Sequence, residues 1–196
     1  PSRVSPEPVI APAGAHGSVV PTADGLAMWY STVRWVPFKG GKTHQTWIHY
    51  ATSEDGVTFE LPDLGFHEGG NAIIAGNDAG ADGKPLTGVR GCSGVCVLDA
   101  ERQTVPHARA RYTAMYRAWI PGRHGGLSLA SSSDGLRWTG YAENTLRIGA
   151  SDTFNNFFYD EKIKRYVAYV RPLIHAGPSH VNRCMARIES EDMIHW

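Results

Sequence analysis

The chain has 196 residues, 42% of them hydrophobic, with 22 Gly and 12 Pro, which suits one all-β domain rich in turns and leaves no tract polar enough to stay unfolded. Nineteen basic residues cancel nineteen acidic ones, so no overall charge points to nucleic acid. No run approaches the ~18 apolar residues of a membrane-spanning helix, amphipathic helical spacing is scarce, and no membrane association is expected.

The first strand-like runs are "HGSVV", "LAMWYSTV" and "TWIHYATS", rich in aromatic and β-branched residues, and they end on "TSEDGVTF" at 52–59. A second series follows, "GVCVLDAE", "RYTAMYRAW" and "GLSLASS", ending on "SSSDGLRW" at 131–138. A third series, "NNFFYDEK", "RYVAYVRP" and "RCMARIES", ends on "ESEDMIHW" at 189–196. Aligning Ser53, Ser132 and Ser190 brings Asp55, Asp134 and Asp192 into register two positions on, and Phe59, Trp138 and Trp196 six positions on. A unit that recurs in this way marks a repeat architecture. Each copy reads as strand, turn, strand, loop, strand, tight turn, strand, the four-stranded antiparallel blade of a β-propeller. The blades are expected near 14–70, 88–148 and 150–196, with first strands near 16–23, 93–99 and 154–160.

The repeated acid has a structural reading. In an Asp-Gly corner, Gly tolerates positive φ and Asp bonds the backbone of its own turn, so Asp55-Gly56 and Asp134-Gly135 are expected to close hairpins. A single active site has no use for three copies of one acid. The third copy carries Met193 in place of Gly, so its turn is expected to differ in detail. Trp138 and Phe59 are expected to fold back over their sheets and be buried. Cys92 and Cys96 lie four apart on one expected strand, roughly 13 Å at strand rise, too far to bridge or to share a metal. They read as buried free thiols.

The series "MWYS", "YATSEDGVTF", "LASSSDGLRW", "NNFFYDEKIKRYVAYVRP" and "ARIESEDMIHW" resembles the five-bladed propellers of the glycoside hydrolases related to families 32 and 43, most of all their uncharacterised bacterial members. The six-bladed sialidases are a lesser alternative, because their Asp-box has a residue between Asp and Gly that is missing here. The resemblance spans nearly the whole chain and implies an all-β five-bladed β-propeller with about three blades present. Three blades do not close such a ring. The chain is therefore expected to be a piece of a longer protein, with an exposed sheet edge that pairs with missing blades or with another copy. Any targeting segment is expected to be cleaved or to lie outside it, and localisation stays open.

The resemblance further implies that ligand binds where the first strands start and where loops join second to third strands, opposite the Asp-Gly corners. The expected loops are 34–45, 117–126 and 171–183. They open on Arg34, Arg117 and Arg171 and carry Lys39, Lys42, His44, Arg123, His124, His175 and His180. Positive charge concentrated on one face suits an anionic or hydroxyl-rich carbohydrate. His44, His175 and His180 lack metal-ligand spacing, so neither a metal nor a cofactor is expected.

Glycoside hydrolysis usually needs two carboxyl groups flanking the bond. Asp152, just before the third first strand, is the expected catalytic residue, followed by Asn155 and Asn156 as sugar ligands. His16 stands where the resembling families carry an Asp, and Arg90 precedes the second first strand with no acid beside it; both are expected to bind substrate. Asp78 and Asp82 could swing in from a Gly-rich loop, and Glu189 is expected on a solvated face. Three readings follow: a carbohydrate-active hydrolase, a non-catalytic carbohydrate-binding propeller, and a protein-interaction propeller.

Overall fold

The computed structural model describes residues 10, 16–68, 70–120, 126–142, 151, 154–177 and 180–196, the side chains of 38 and 173–183 excepted. Among these residues every regular element is a strand, and no helix is long and apolar enough to cross a membrane.

The first sheet is an antiparallel meander of β1 (Gly17–Pro21), β2 (Leu26–Phe38), β3 (Gly41–Ser53) and β4 (Ala72–Ile74). The second repeats it with β5 (Cys92–Asp99), β6 (Tyr112–Ala118), β7 (Gly126–Ser132) and β8 (Thr139–Gly140). The third sheet joins β9 (Asn156–Asp160), β10 (Arg165–Val170) and β13 (Ala186–Ser190), and a separate hairpin, β11 (Leu173–Gly177) with β12 (His180–Arg183), is inserted between its second and third strands. The three expected first strands thus stand as β1, β5 and β9.

Three expectations need correcting. Residues 34–45 are not a loop: β2 and β3 stay paired from Leu26↔Ser53 to Phe38↔Gly41 and turn on Lys39 and Gly40 alone. Both turn residues have positive φ, 45° and 78°, the twist that suits a two-residue hairpin. Within 171–183, Leu173–Gly177 and His180–Arg183 likewise pair as the antiparallel β11–β12 hairpin. In the first sheet the fourth strand does not begin at Phe59. Only a bridge from Thr52 to Glu60 forms there, Phe59 is half-buried, and β4 follows after a further loop. The third turn differs in detail, as expected: Met193 takes a similar φ, 66° beside 75° at Gly56 and 76° at Gly135, but Ser190 Oγ accepts the Asp192 amide (3.3 Å), where Ser53 and Ser132 accept those of Gly56 and Gly135.

The second sheet lies between the other two. One core cluster packs Trp29, Ile48 and Ile74 against Val95, Val97, Tyr116 and Trp138. The other packs Leu98, Met115 and Leu129 against Phe157, Tyr166, Ala168 and Met193. Strand β6 is therefore buried on both faces, Tyr116 toward the first sheet and Met115 toward the third, which is why its sequence shows no alternation. The first strands lie side by side along these contacts: the Val97 amide donates to Ser18 Oγ (2.9 Å), and the Cys96 thiol donates to Asn156 Oδ1 (3.1 Å). Cys92 and Cys96 are buried and unbridged, as expected, and burial pushes both thiols up.

The three Ser-x-Asp corners share the hydrogen bonds of the Asp carboxylate. Asp134 Oδ1 accepts the amides of Leu136 and Arg137, both at 2.8 Å, and the Ser132 hydroxyl at 2.9 Å, while the Gly135 amide donates to Ser132 Oγ. Asp55 accepts the amides of Val57 and Thr58, and Asp192 those of Ile194 and His195. Trp138 is buried, and its indole N–H donates to Gly135 O, which also accepts from Trp29 Nε1 at 2.7 Å. These acids build turns.

Candidate functional site

The starts of β1, β5 and β9 gather at one end of the stack, the mouth. At the entry to β1 the His16 carbonyl accepts the Ser31 amide (3.2 Å) and the Ser31 hydroxyl (3.1 Å). Near the start of β5, register slips between Ser93 and Cys96, where Gly94 takes φ 64°, and the Gly94 amide freed by this bulge donates to the same Ser31 Oγ at 3.1 Å. From the third sheet, Phe154 stacks on the His16 ring with centroids 6.5 Å apart. One hydroxyl and one ring contact thus tie three sheet entrances together.

Arg117, paired with Ser93 at the end of β6, places its guanidinium 3.8 Å from the Trp119 ring centre, and Arg90 lies 5.8 Å from the same ring. Arg90 is fixed through its main chain: its carbonyl accepts the Thr46 amide at 3.0 Å, and the Gln45 side chain donates to Val89 O. An indole flanked by guanidiniums offers a flat apolar surface beside fixed donors, which fits a ring bearing hydroxyl or carboxylate oxygens.

The other expected residues are less uniform. Asn155 is fully buried; its Oδ1 accepts the Ser151 hydroxyl and, at 3.3 Å, the Arg171 amide, so it holds the chain that presents Arg171. Asn156 is exposed at the start of β9, with its Oδ1 on Cys96. Arg34 turns away from the mouth residues onto the other face of the β2–β3 ribbon, over Trp47 at 4.3 Å and onto Glu68 O at 3.2 Å. Asp152, Arg123 and His124 lie outside the described residues, as do the side chains of His175 and His180.

Of the acids considered from sequence, none described is at the mouth with a free carboxylate. Asp78 Oδ2 accepts the Ala75 amide and lies 2.9 Å from His67 Nε2, Asp82 bonds Lys84, and Glu189 pairs with Arg187 and Arg165. Asp78 and His67 instead line an open cleft of about 460 Å³ with Phe66, Leu136 and Trp138, on the Asp-Gly side of the first two sheets. Among the described residues no group of three His, Cys, Asp or Glu could hold a metal ion.

Sequence reasoning passed over Trp119, Phe154 and Ser31. The first two stand within stretches singled out for their charges, and aromatic residues beside those charges were the available signal. Ser31 had none, since its partners His16 and Gly94 are remote in sequence.

Behind the mouth a buried polar chain stiffens the first sheet. Asn71 donates to the Tyr30 hydroxyl (2.8 Å) and to Tyr50 O (2.7 Å), so its Oδ1 accepts from His49 Nδ1 (3.1 Å), leaving Nε2 to accept from Thr32 Oγ1 (2.9 Å). Burial lowers the His49 pKa, so the ring is neutral at pH 7 with its proton on Nδ1.

No family model and no curated protein matches the chain. Among solved structures it superposes on a protein described as a glycoside hydrolase, with a TM-score of 0.53 and 18% identity, over 95% of this chain and 58% of that one. A second structure, described as a BT0996 RGII complex, aligns over 96% of this chain and 75% of that one at a TM-score of 0.40 and 13% identity. The first likeness defines the class: an all-β, glycoside-hydrolase-like fold of antiparallel three- and four-stranded sheets. The chain spans somewhat over half the length of that hydrolase.

Proposed function

We propose that the protein is a carbohydrate-active domain of β-propeller architecture, its three sheets acting as blades of a five-bladed ring related to families 32 and 43, and that it hydrolyses an oligo- or polysaccharide held at the mouth. One observation carries the reading: the starts of β1, β5 and β9 gather there, with Arg90 and Arg117 on Trp119 and His16 on Phe154. Residues from three repeats far apart in sequence meet at one end, as repeat symmetry about a common axis requires. The description of the first structural neighbour as a glycoside hydrolase agrees with it.

In this reading Arg90, Arg117, Arg171 and Asn156 hold sugar oxygens, His16 and Trp119 pack on ring faces, and Asp152 supplies one of the two carboxyl groups of the chemistry. A second reading, non-catalytic carbohydrate binding, is favoured by the His at position 16 and the Arg at position 90, at strand starts where the resembling hydrolases carry acids.

The test uses a glycan panel with Arg117→Ala and Asp152→Asn. Loss of a charge-assisted hydrogen bond in Arg117→Ala should weaken binding by about 1–3 kcal/mol. A hydrolase keeps its ligand and loses turnover in Asp152→Asn, whereas a binding module has no turnover to lose. If no glycan binds the unaltered protein, both readings fail.

A further inference from the structure

Strands β2 and β3 are far longer than their neighbours. Pairing with β1 stops at Tyr30 and pairing with β4 stops at Ile48, yet β2 and β3 continue together to Phe38 and Gly41. Past the bridge from Thr46 to Gly91, the ribbon runs on as a two-stranded arm of about 20 Å, at roughly 3.4 Å per residue.

The two faces of this arm differ. Directly paired residues share a face, so Trp29, Ser31, Val33, Trp35 and Pro37 lie on one side together with Ile48, Thr46, His44 and Lys42. Within the body this face is core: Trp29 and Ile48 are buried against β5, and Ser31 meets Gly94. Beyond the start of β5 no second sheet covers it among the described residues, and Val33 and Trp35 are 61% and 70% exposed. The arm's apolar face therefore overhangs the side on which the mouth lies. His44 meets the Trp35 ring edge-on, centroids 5.9 Å apart at 75°, which fixes the indole while leaving it open to solvent.

Charge selects the occupant. From Gly25 to Ser53 the chain has no Asp or Glu, and the arm carries Arg34, Lys39, Lys42 and His44. On the open face, Lys42 and His44 flank Trp35. An apolar ring bordered by cations fits a pyranose with a carboxylate, whose C–H face meets the indole while its charge meets the ammonium.

We propose that the arm is a second contact surface, built for the uronate residues of an acidic glycan that extends out of the mouth, with Trp35 as platform and Lys42 as the partner of the carboxylate. This rests on the carbohydrate reading above and adds to it the charge of the ligand and a position outside the mouth. Because Trp35 and Lys42 are exposed, substituting them leaves the core intact, and circular dichroism verifies this for each variant.

Isothermal titration of the full chain with oligomers of alginate, polygalacturonate and hyaluronan, and with each after reduction of its carboxyls, tests the proposal. The unaltered protein should prefer at least one acidic oligomer to its reduced form. Trp35→Ala should weaken that oligomer and its reduced form together, by roughly five- to ten-fold, with Trp35→Phe close to the unaltered protein. Lys42→Glu should abolish the preference for the acidic form and leave the reduced form's affinity unchanged. Affinities in both variants equal to those of the unaltered protein, or binding of neutral glycans only, would overturn the arm's role while the carbohydrate reading stands. If the unaltered protein binds no glycan at all, the carbohydrate reading itself falls. If Trp35→Ala instead abolishes a protein contact and no glycan contact, the arm is a protein-docking surface and the proposal is wrong.

Discussion

Asp134 shows how a residue that looks catalytic becomes structural. Desolvation acts to raise its pKa, but the Arg137 and Leu136 amides and the Ser132 hydroxyl outweigh it and hold the carboxyl below the ordinary Asp range; Asp55 and Asp192 are lowered by the same kind of turn. A depressed folded-state pKa contributes stability that is present above the unfolded value, about pH 4, and is lost as pH falls through the folded one. Thermal melts should therefore fall progressively below about pH 4 and fall less in Asp134→Asn, which has no carboxylate to protonate. A melt of the variant with the acid sensitivity of the unaltered protein would show that other carboxylates dominate. Gly135 is the stricter position: φ is +76° and a Cβ would meet Trp29 Cζ2 at 2.8 Å, so Gly135→Ala should cost upward of about 2 kcal/mol, read by urea unfolding. The repeat register made these turns legible, because spacing within the corner is local. That Met193 would take the same left-handed backbone was not legible, since its cause is long-range: the side chain is fully buried in the second core, which outweighs about 1 kcal/mol of backbone strain.

At the scale of elements, the length of the β2–β3 ribbon is what sequence reading missed. "VPFKGGK" has the Pro, Gly and Lys of a loop, but a two-residue turn needs only Lys39 and Gly40, and the flanking residues stay paired. First strands were legible because each is a short apolar run bounded by turn residues; the inserted β11–β12 hairpin was not, because the Gly and Pro of "RPLIHAGPSHVNR" read equally well as an open loop. One join between the first two sheets passes through Gly91. It has φ +73°, and a Cβ there would run into the Thr46 carbonyl, so Gly91→Ala should separate the bridge, raise hydrogen exchange at the Thr46 amide, and displace Arg90 from the mouth. Unchanged exchange at Thr46 would mean that the junction tolerates the methyl. The buried chain through Asn71 stiffens the same sheet, and Asn71→Ala, which leaves His49 and Tyr30 short of partners, should cost about 2–4 kcal/mol by chemical denaturation. A cost under about 0.5 kcal/mol would show that the chain is not needed.

The whole molecule is a stack in which the second sheet packs between the first and the third. On the third sheet the other face carries Phe158 stacked on Tyr169, which is 42% exposed, among the ion pairs of Arg165, Arg187 and Glu189. In the propeller proposed above that face would meet a further blade. It should therefore drive self-association that light scattering detects as concentration rises, and Tyr169→Glu should reduce it. A monomer unaffected by concentration would argue that this face needs no cover. Composition and repeats made the all-β class and its antiparallel sheets legible, whereas the mouth was only half legible. Its arginines stand in sequence as charges, but their convergence on Trp119 and the tie from His16 through Ser31 to Gly94 depend on pairings between remote segments. The measurement that bears most directly on the account is a crystal structure of the protein soaked with the tightest-binding oligosaccharide from a glycan panel. The account predicts sugar density at the mouth, with a ring against Trp119 or His16 and oxygens within hydrogen-bond reach of Arg90 or Arg117. Density confined to the cleft beside His67 and Asp78, with the mouth holding only water, would contradict it.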